Sequence, residues 1–530
     1  MAAVPRLLSQ AGVRMAAHPY LAAPLLGAGA ACGFRPLALW PLSLLGLAGL
    51  TALVWRAPSW KHAAATGWLW GVGHFCLGDN WIATAFTYQA QMPAWLGWIA
   101  VFLLSLYLAV FPALAALGAW LIARGSTRAF VLAFAGCWIV AEWLRSWVLT
   151  GFAWNPLAVA TLGPFGSPGF AAVAPWLGTY ALSGVVVLLA GCWFTAVSRR
   201  KADWRAAVLA LGPAALFVLP NVPPHQAAGS LPFTLVQPNI PQRDLDNPAT
   251  FERQFANLAA LTMPHRPGER RLVLWPESGV PDYLREGYPL AFYEQTTFDA
   301  DPRAARARIA QAIGPGSLLL TGAVDLELAG DAVVGARNVV TALADSGAIR
   351  AGYAKAHLVP YGEYLPMRPL LQPLGLTRLV AGTIDFRAGP GPRTLDLGPW
   401  GKAGVQICYE IVFSGQIVDR NHRPDYIFNP SNDGWFGAWG PPQHLAQARL
   451  RAIEEGLPIL RATTTGISAV IDADGIVRQA LPRNTAGRLD GVVPPAHPAT
   501  LFARLGNVLP LAWAVVLLVL SLVALRRARR

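Results

Sequence analysis

Charge is nearly missing from two long parts of this chain. Between residues 18 and 219 acids and bases are sparse, and 505–525 has none, whereas 220–504 carries them as a soluble domain does. Over the 530 residues 13% are charged and 54% hydrophobic, against roughly 25% charged in soluble proteins. A chain so divided has to satisfy two solvents, lipid and water. Apolar segments at about 18–34, 37–54, 64–86, 94–122, 129–149, 171–197, 204–220 and 505–525 each meet or approach the ~20 residues that span a bilayer core. The third carries His74, Asp79 and Asn80, which are costly in lipid and are expected to face the bundle interior.

Lys and Arg in the short loops set the orientation. With the N-terminus inside, the cytoplasmic stretches hold Arg6, Arg14, Arg56, Lys61, Arg124, Arg128, Arg199, Arg200, Lys201, Arg205, Arg526, Arg527, Arg529 and Arg530, and the short outer loops hold only Arg35. Eight spans follow, with both termini cytoplasmic: a seven-helix membrane domain over 1–220, a domain outside the cytoplasm over 221–504, and an eighth helix with a basic cytoplasmic tail over 505–530. Gly29-Ala30-Ala31-Cys32 lacks the large aliphatic residue of a lipoprotein cleavage site, so the first two spans read as an uncleaved hairpin. The net charge of +13 is explained by these flanking loops. No basic stripe interleaved with aromatics occurs in the soluble part, so nucleic acid is not an expected partner.

Four cysteines, Cys32, Cys76, Cys137 and Cys192, lie in apolar spans as small hydrophobes. Cys408 stands alone in the outer domain, without a partner in a compartment that favours disulfides, and is flagged as reactive.

The outer domain alternates β-rich and helical runs, as an α/β protein does. Strands are predicted at Pro232–Gln237, Arg271–Trp275, Ser317–Val324, Arg337–Ala344, Ile349–Ala354, Lys402–Cys408, Tyr426–Asn429, Pro458–Arg461 and Ser468–Asp472, and helices near 248–262, 301–313, 412–421 and 442–456. Glu277, Lys355 and Cys408 each sit at or just past the end of one strand, where open α/β sheets form crevices. A thiol attacks as thiolate, and an ammonium nearby lowers its pKa. A carboxylate can take its proton and later that of an incoming amine, and lysine can hold an oxyanion. The trio suits acyl transfer through a thioester. Taken singly, each has a plainer reading: a turn carboxylate, a solvated strand end and a buried hydrophobe.

The flanking motifs are long. They include Trp275-Pro276-Glu277-Ser278, Lys355-Ala356-His357-Leu358-Val359-Pro360-Tyr361-Gly362-Glu363-Tyr364, Cys408-Tyr409-Glu410, Asn432-Asp433-Gly434-Trp435-Phe436-Gly437, Gln443-His444, Arg451-Ala452-Ile453-Glu454 and Arg461-Ala462-Thr463. In the membrane part they include Glu142-Trp143-Leu144-Arg145 and Thr150-Gly151-Phe152-Ala153-Trp154-Asn155-Pro156. On these the chain resembles the apolipoprotein N-acyltransferases, the membrane branch of the nitrilase superfamily. The resemblance implies an αββα sandwich on eight transmembrane helices, in the bacterial inner membrane with the catalytic domain in the periplasm. It implies ping-pong N-acylation of a lipoprotein's diacylglyceryl-cysteine, the acyl chain coming from a phospholipid, typically phosphatidylethanolamine. Glu277 would be the base, Lys355 the oxyanion stabiliser and Cys408 the nucleophile. Glu363 would support them, Tyr409 and Glu410 would flank the nucleophile with the Tyr409 backbone in the oxyanion hole, and Trp435 and Phe436 would belong to the substrate site. No cofactor is implied, and a monomer is expected.

Two positions depart from the family pattern. Arg243-Asp244-Leu245-Asp246 stands where a functional tryptophan is frequent, and Thr464 where asparagine is expected. Leu365, Met367, Leu370, Leu371, Leu374, Leu376 and Leu379 make an apolar arm over 365–386, read either as satellite core or as a lipid-gating lid. His357 and His444 lack the spaced partners of a zinc site, and Glu142 with Arg145 reads as a buried ion pair. Two rival functions are a tethered amidase that hydrolyses its thioester, which would need one anchor and not eight spans, and a transporter, which would show a repeat.

Overall fold

The computed structural model describes residues 18–88, 93–199, 203–218, 229–330, 332–371, 373 and 385–530. The chain divides into two compact units: Met1–Ala83 with Ala94–Val222 and Leu505–Arg530, and Thr84–Pro93 with Pro223–Arg504.

The first unit is helical. Helices form at each of the eight apolar segments: Pro19–Ala31, Trp40–Trp55, Trp60–Gly78, the successive pair Leu96–Leu108 and Val110–Ile122, Thr127–Arg145, Ala174–Ser198, Trp204–Val218 and Val508–Arg529. Among the described residues four stretches can cross a membrane by length and composition: Leu96–Ile122, Thr127–Arg145, Phe170–Ser198 and Val508–Arg529. Trp40–Trp55 and Trp204–Val218 are apolar but shorter, and Trp60–Gly78 is diluted by Lys61, His62 and His74. Arg6, Arg14, Arg200 and Lys201 lie outside the described residues.

Without a hydrophobic drive between helices in lipid, close backbone packing has to hold them. Gly67 and Gly71, one turn apart, supply it. A Cβ on Gly67 would lie 2.8 Å from the Pro112 carbonyl oxygen, and one on Gly71 would lie 2.8 Å from Ala109 Cα. His74 and Asp79 are buried, as expected, and His74 stacks on Trp70. Glu142 Oε1 accepts the Leu157 N–H (3.0 Å), and Arg145 donates to the Trp154 carbonyl (2.8 Å). The pair, 4.0 Å apart, ties its helix to the Trp154-Asn155-Pro156 loop.

Among the described residues of the second unit, twelve strands form two six-stranded sheets. The first has the order β12-β1-β2-β3-β4-β5: β1 Pro232–Gln237, β2 Leu272–Leu274, β3 Leu318–Ala329, β4 Ala332–Ala344, β5 Ile349–Ala354 and β12 Gly487–Val492. The second has the order β11-β10-β9-β8-β7-β6: β6 Thr394–Asp396, β7 Lys402–Val405, β8 Tyr426–Ser431, β9 Ile459–Thr463, β10 Ser468–Ile471 and β11 Val477–Leu481. Helices Phe251–Thr262 and Pro302–Ile313 cover the first sheet and Gly440–Glu455 the second, with β1 packed on β9 between them. The layers therefore run α-β-β-α. Val273, Trp275, Leu319, Val339, Leu343, Leu258, Ile309 and Ile313 form one core beneath the first pair of helices.

Helix Pro302–Ile313 starts where sequence signals say it should. Asp301 caps it through the Arg303 N–H, and Pro302 takes the first position. No α-helix forms at 412–421. The chain makes a 3-10 turn over Cys408–Val412 and then bends, with Gly415 at φ +74°. β6, β11 and β12 escape the sequence pattern. β6 is three residues long, and the other two are half-exposed edge strands rich in Arg, Gln and Asp.

Candidate active site

β3 runs parallel to β2, and two antiparallel pairings return β5 to the same direction. Glu277 and Lys355 therefore leave the first sheet over one edge. Cys408 follows β7 of the second sheet, so the site lies between two sheets and not at the switch point of a single open one. The Glu277 loop presses on β3 at Gly322, where a Cβ would sit 2.7 Å from Glu277 Cα. Only glycine fits there.

Two of the three side chains predicted from sequence meet directly, and the third, Cys408, lies within reach of the charge of both. Lys355 Nζ donates to Glu277 Oε1 (3.5 Å) and Glu363 Oε1 (3.0 Å), with Lys355 1% and Glu277 7% exposed. Asn338 Nδ2 donates to the same two oxygens at 2.8 and 2.9 Å. Glu277 Oε2 accepts the Asn432 backbone N–H at 2.8 Å, and Glu363 Oε2 that of Val359 at 2.7 Å. Burial lowers the pKa of the Lys355 ammonium, but Glu363 and then Glu277 outweigh it and hold it above the ordinary lysine value. The lysine stays charged.

Cys408 is buried and sits at φ +52°, a left-handed conformation that side chains rarely take. Burial and the Glu277 carboxylate push its thiol well above the ordinary cysteine range; Lys355 and a hydrogen bond from the Asn432 N–H pull the other way, and Asp433 adds to the rise. The resting sulfur is a thiol, with a carboxylate and an ammonium acting on it. Glu410 gathers four donors: Tyr353 Oη (2.8 Å), Ala356 N (2.7 Å) and His357 N (3.1 Å) on Oε1, and Ile407 N (2.8 Å) on Oε2. It thereby pins the lysine loop to the cysteine turn. Burial lifts it to about 7 despite those donors.

Tyr409 packs its ring edge on Phe413, and Phe436 on His444. Trp435 is half-buried and meets Tyr88, which belongs to this unit through Thr84–Pro93. His357 stacks on Phe413 with centroids 3.7 Å apart. Just before the first departure, Gln242 Oε1 accepts from Asn432 Nδ2 (2.7 Å), and at the second, Thr464 Oγ1 donates to Asn432 Oδ1 (2.8 Å). Both hold the loop that donates to Glu277. Of the apolar arm, Leu365 is buried and Met367 and Leu370 are exposed, while Leu374, Leu376 and Leu379 lie outside the described residues.

Residues 234–496 match the carbon-nitrogen hydrolase family, and residues 26–192 match the apolipoprotein N-acyltransferase N-terminal domain. An apolipoprotein N-acyltransferase of Bradyrhizobium diazoefficiens is 36% identical over 498 residues, which cover 89% of this chain and 88% of that one. The chain belongs to the apolipoprotein N-acyltransferase family. A second member, from Rhodopseudomonas palustris, is 34% identical over 88% of each chain. The protein is accordingly an acyltransferase with a nitrilase-like domain and a membrane part.

Asn338 sits within β4 with no motif around it, so nothing in the sequence singles it out. Replacing it tests what holds the two carboxylates together. Asn338→Leu is expected to destabilise the protein by about 1–3 kcal/mol, because two buried carboxylates lose a donor. Asn338→Asp is expected to cost more at neutral pH, since it sets a third carboxyl within hydrogen-bond distance of two others. That carboxyl would have a raised pKa, so its penalty should fade as pH drops and the group protonates. Thermal unfolding of both variants at about pH 5 and pH 8 checks this; equal losses at both would count against it.

Proposed function

We propose that this protein N-acylates the N-terminal diacylglyceryl-cysteine of apolipoproteins with a chain taken from a membrane phospholipid, phosphatidylethanolamine being the favoured donor, through a thioester on Cys408. The observation that carries the reading is a buried thiol under the joint influence of the Glu277 carboxylate and the Lys355 ammonium. Glu277 takes the Sγ proton as sulfur attacks the ester carbonyl, and Lys355 Nζ with the Tyr409 N–H hold the oxyanion. Collapse breaks the C–O bond, and the proton on Glu277 goes to the departing lysophospholipid. The acceptor's amine then attacks the thioester, Glu277 removes its proton, and the Cys408 thiolate leaves and is reprotonated. Glu363 keeps Lys355 aimed, while Glu410 fixes the cysteine turn.

The family and the apolar helices support a setting in the inner membrane with eight spans, both termini cytoplasmic and the catalytic domain periplasmic. The exposed Met367 and Leu370 support the arm 365–386 as a lipid gate, with Trp435 and Phe436 bordering the substrate. Intact-protein mass spectrometry of protein purified from membranes tests the reading. An acyl adduct on Cys408, labile to hydroxylamine and delivered to a diacylglyceryl peptide amine, is the expected result. An adduct absent from Cys408, or one discharged only to water, would overturn it.

Because the thiol's pKa is raised, the thiolate fraction grows as pH rises. Alkylation of Cys408 by iodoacetamide in the full-length protein should therefore keep accelerating, with no plateau below about pH 9. A plateau near neutrality would mean that Lys355 outweighs burial and that a thiolate is already formed at rest.

A further inference from the structure

Behind the cysteine turn lies a chain of buried polar groups that the proposed chemistry leaves unused. His444, on helix Gly440–Glu455 and wholly buried, places Nε2 3.1 Å from the Cys408 carbonyl oxygen. A carbonyl oxygen only accepts, so Nε2 carries the proton. On the other side of the ring, Nδ1 lies 2.9 Å from Arg461 Nη2 and 3.0 Å from Asp433 Oδ1. Arg461 also donates to both oxygens of Asp433, at 2.8 and 2.7 Å. Burial, then the Arg461 charge, lower the His444 pKa against the opposing pull of Asp433. The ring is therefore neutral, and its Nδ1 lone pair faces the guanidinium. The tautomer is locked.

The Cys408 carbonyl and the Tyr409 N–H belong to one peptide group. In a planar trans peptide these two bonds point in opposite directions, so whatever fixes the carbonyl also aims the N–H. A hydrogen bond accepted by the carbonyl further polarises the amide and makes its N–H a stronger donor. We infer that His444 is a positioning residue for the oxyanion hole: held by Arg461 and Asp433, it orients and polarises the Cys408–Tyr409 peptide so that the Tyr409 N–H meets the developing oxyanion. This rests on the thioester reading above.

Two amide substitutions separate the ring's nitrogens. His444→Gln can set an amide N–H where Nε2 stood, and His444→Asn can set one where Nδ1 stood. In full-length protein in phosphatidylethanolamine vesicles, His444→Asn should slow single-turnover thioester formation by about 10- to 100-fold at unchanged KM. His444→Gln should stay within ~10-fold of the parent and be the faster of the two. Iodoacetamide alkylation of Cys408 should be little changed in both, because that displacement builds no oxyanion. Equal losses in the two variants, or alkylation falling in step with thioester formation, would make His444 a packing element and overturn the inference. A failure of the thioester reading would look different, since the parent protein itself would then carry no adduct on Cys408.

Discussion

Cys408→Ala is expected to abolish the acyl adduct and to lower N-acylation on the order of 10⁴-fold or more, as loss of a nucleophile does elsewhere, while leaving the fold in place. The substitution removes one sulfur from a buried site and keeps a Cβ, so the left-handed backbone at φ +52° is no more strained than before. The small cavity should cost about 1 kcal/mol. Cys408→Ser should be nearly as inactive for a different reason. Its hydroxyl fits the site, but a carboxylate cannot readily strip the proton from an alcohol whose pKa lies far above that of a thiol, and the ester would leave less easily than the thioester. Acyl-adduct mass spectrometry, transfer to a diacylglyceryl peptide and thermal unfolding, measured on the same three preparations, check these expectations. Substantial transfer by Cys408→Ala, or an adduct persisting at another residue, would remove the thioester from the mechanism.

What the sequence disclosed depended on how local the physics was. Glu277, Lys355 and Cys408 are legible because each ends a recognisable strand inside a long motif, and Pro232–Gln237 and Ile349–Ala354 are strands with the predicted bounds. Helix Gly440–Glu455 is legible in the sequence, within two residues of the predicted 442–456, yet nothing there gives His444 a role. That side chain acts by reaching a backbone carbonyl 36 residues away, a contact that no periodicity encodes. Asn338 is hidden for the same reason: its partners Glu277 and Glu363 are 61 and 25 residues distant. Thr464 looks like a departure from a pattern in one dimension, and in three dimensions it converges on Asn432 together with Gln242, which precedes the other departure. The helix expected at 412–421 failed because Glu410 and Gly415 shape that segment around Cys408, so local propensity yields to the tertiary contacts there. For the membrane helices, composition marks where apolar segments lie, and in Trp60–Gly78 it is offset by polar residues whose burial depends on the neighbours they meet.

Lys355→Met carries the other large effect, and it should strike activity and stability together. Nζ is a charge donor to two carboxylates in a site almost closed to solvent. Without it, the Oε1 atoms of Glu277 and Glu363 still share the Asn338 amide and each Oε2 keeps its backbone donor, but two negative charges face each other without the Lys355 ammonium between them. Removing one partner of a buried ion pair costs about 3–5 kcal/mol, and losing an oxyanion donor costs about 10²–10³-fold in rate. These two losses can be separated. Adding Glu363→Gln to Lys355→Met removes one of the stranded charges and should recover much of the stability without recovering the rate, because nothing then stands where the oxyanion's cation stood. Lys355→Arg should not rescue either quantity, since a planar guanidinium is too broad for a site in which the lysine is 1% exposed. Thermal unfolding and single-turnover thioester formation on the four proteins decide the matter. If the double variant regains rate as well as stability, Lys355 serves only to neutralise the carboxylates, and the oxyanion must be held by backbone donors alone.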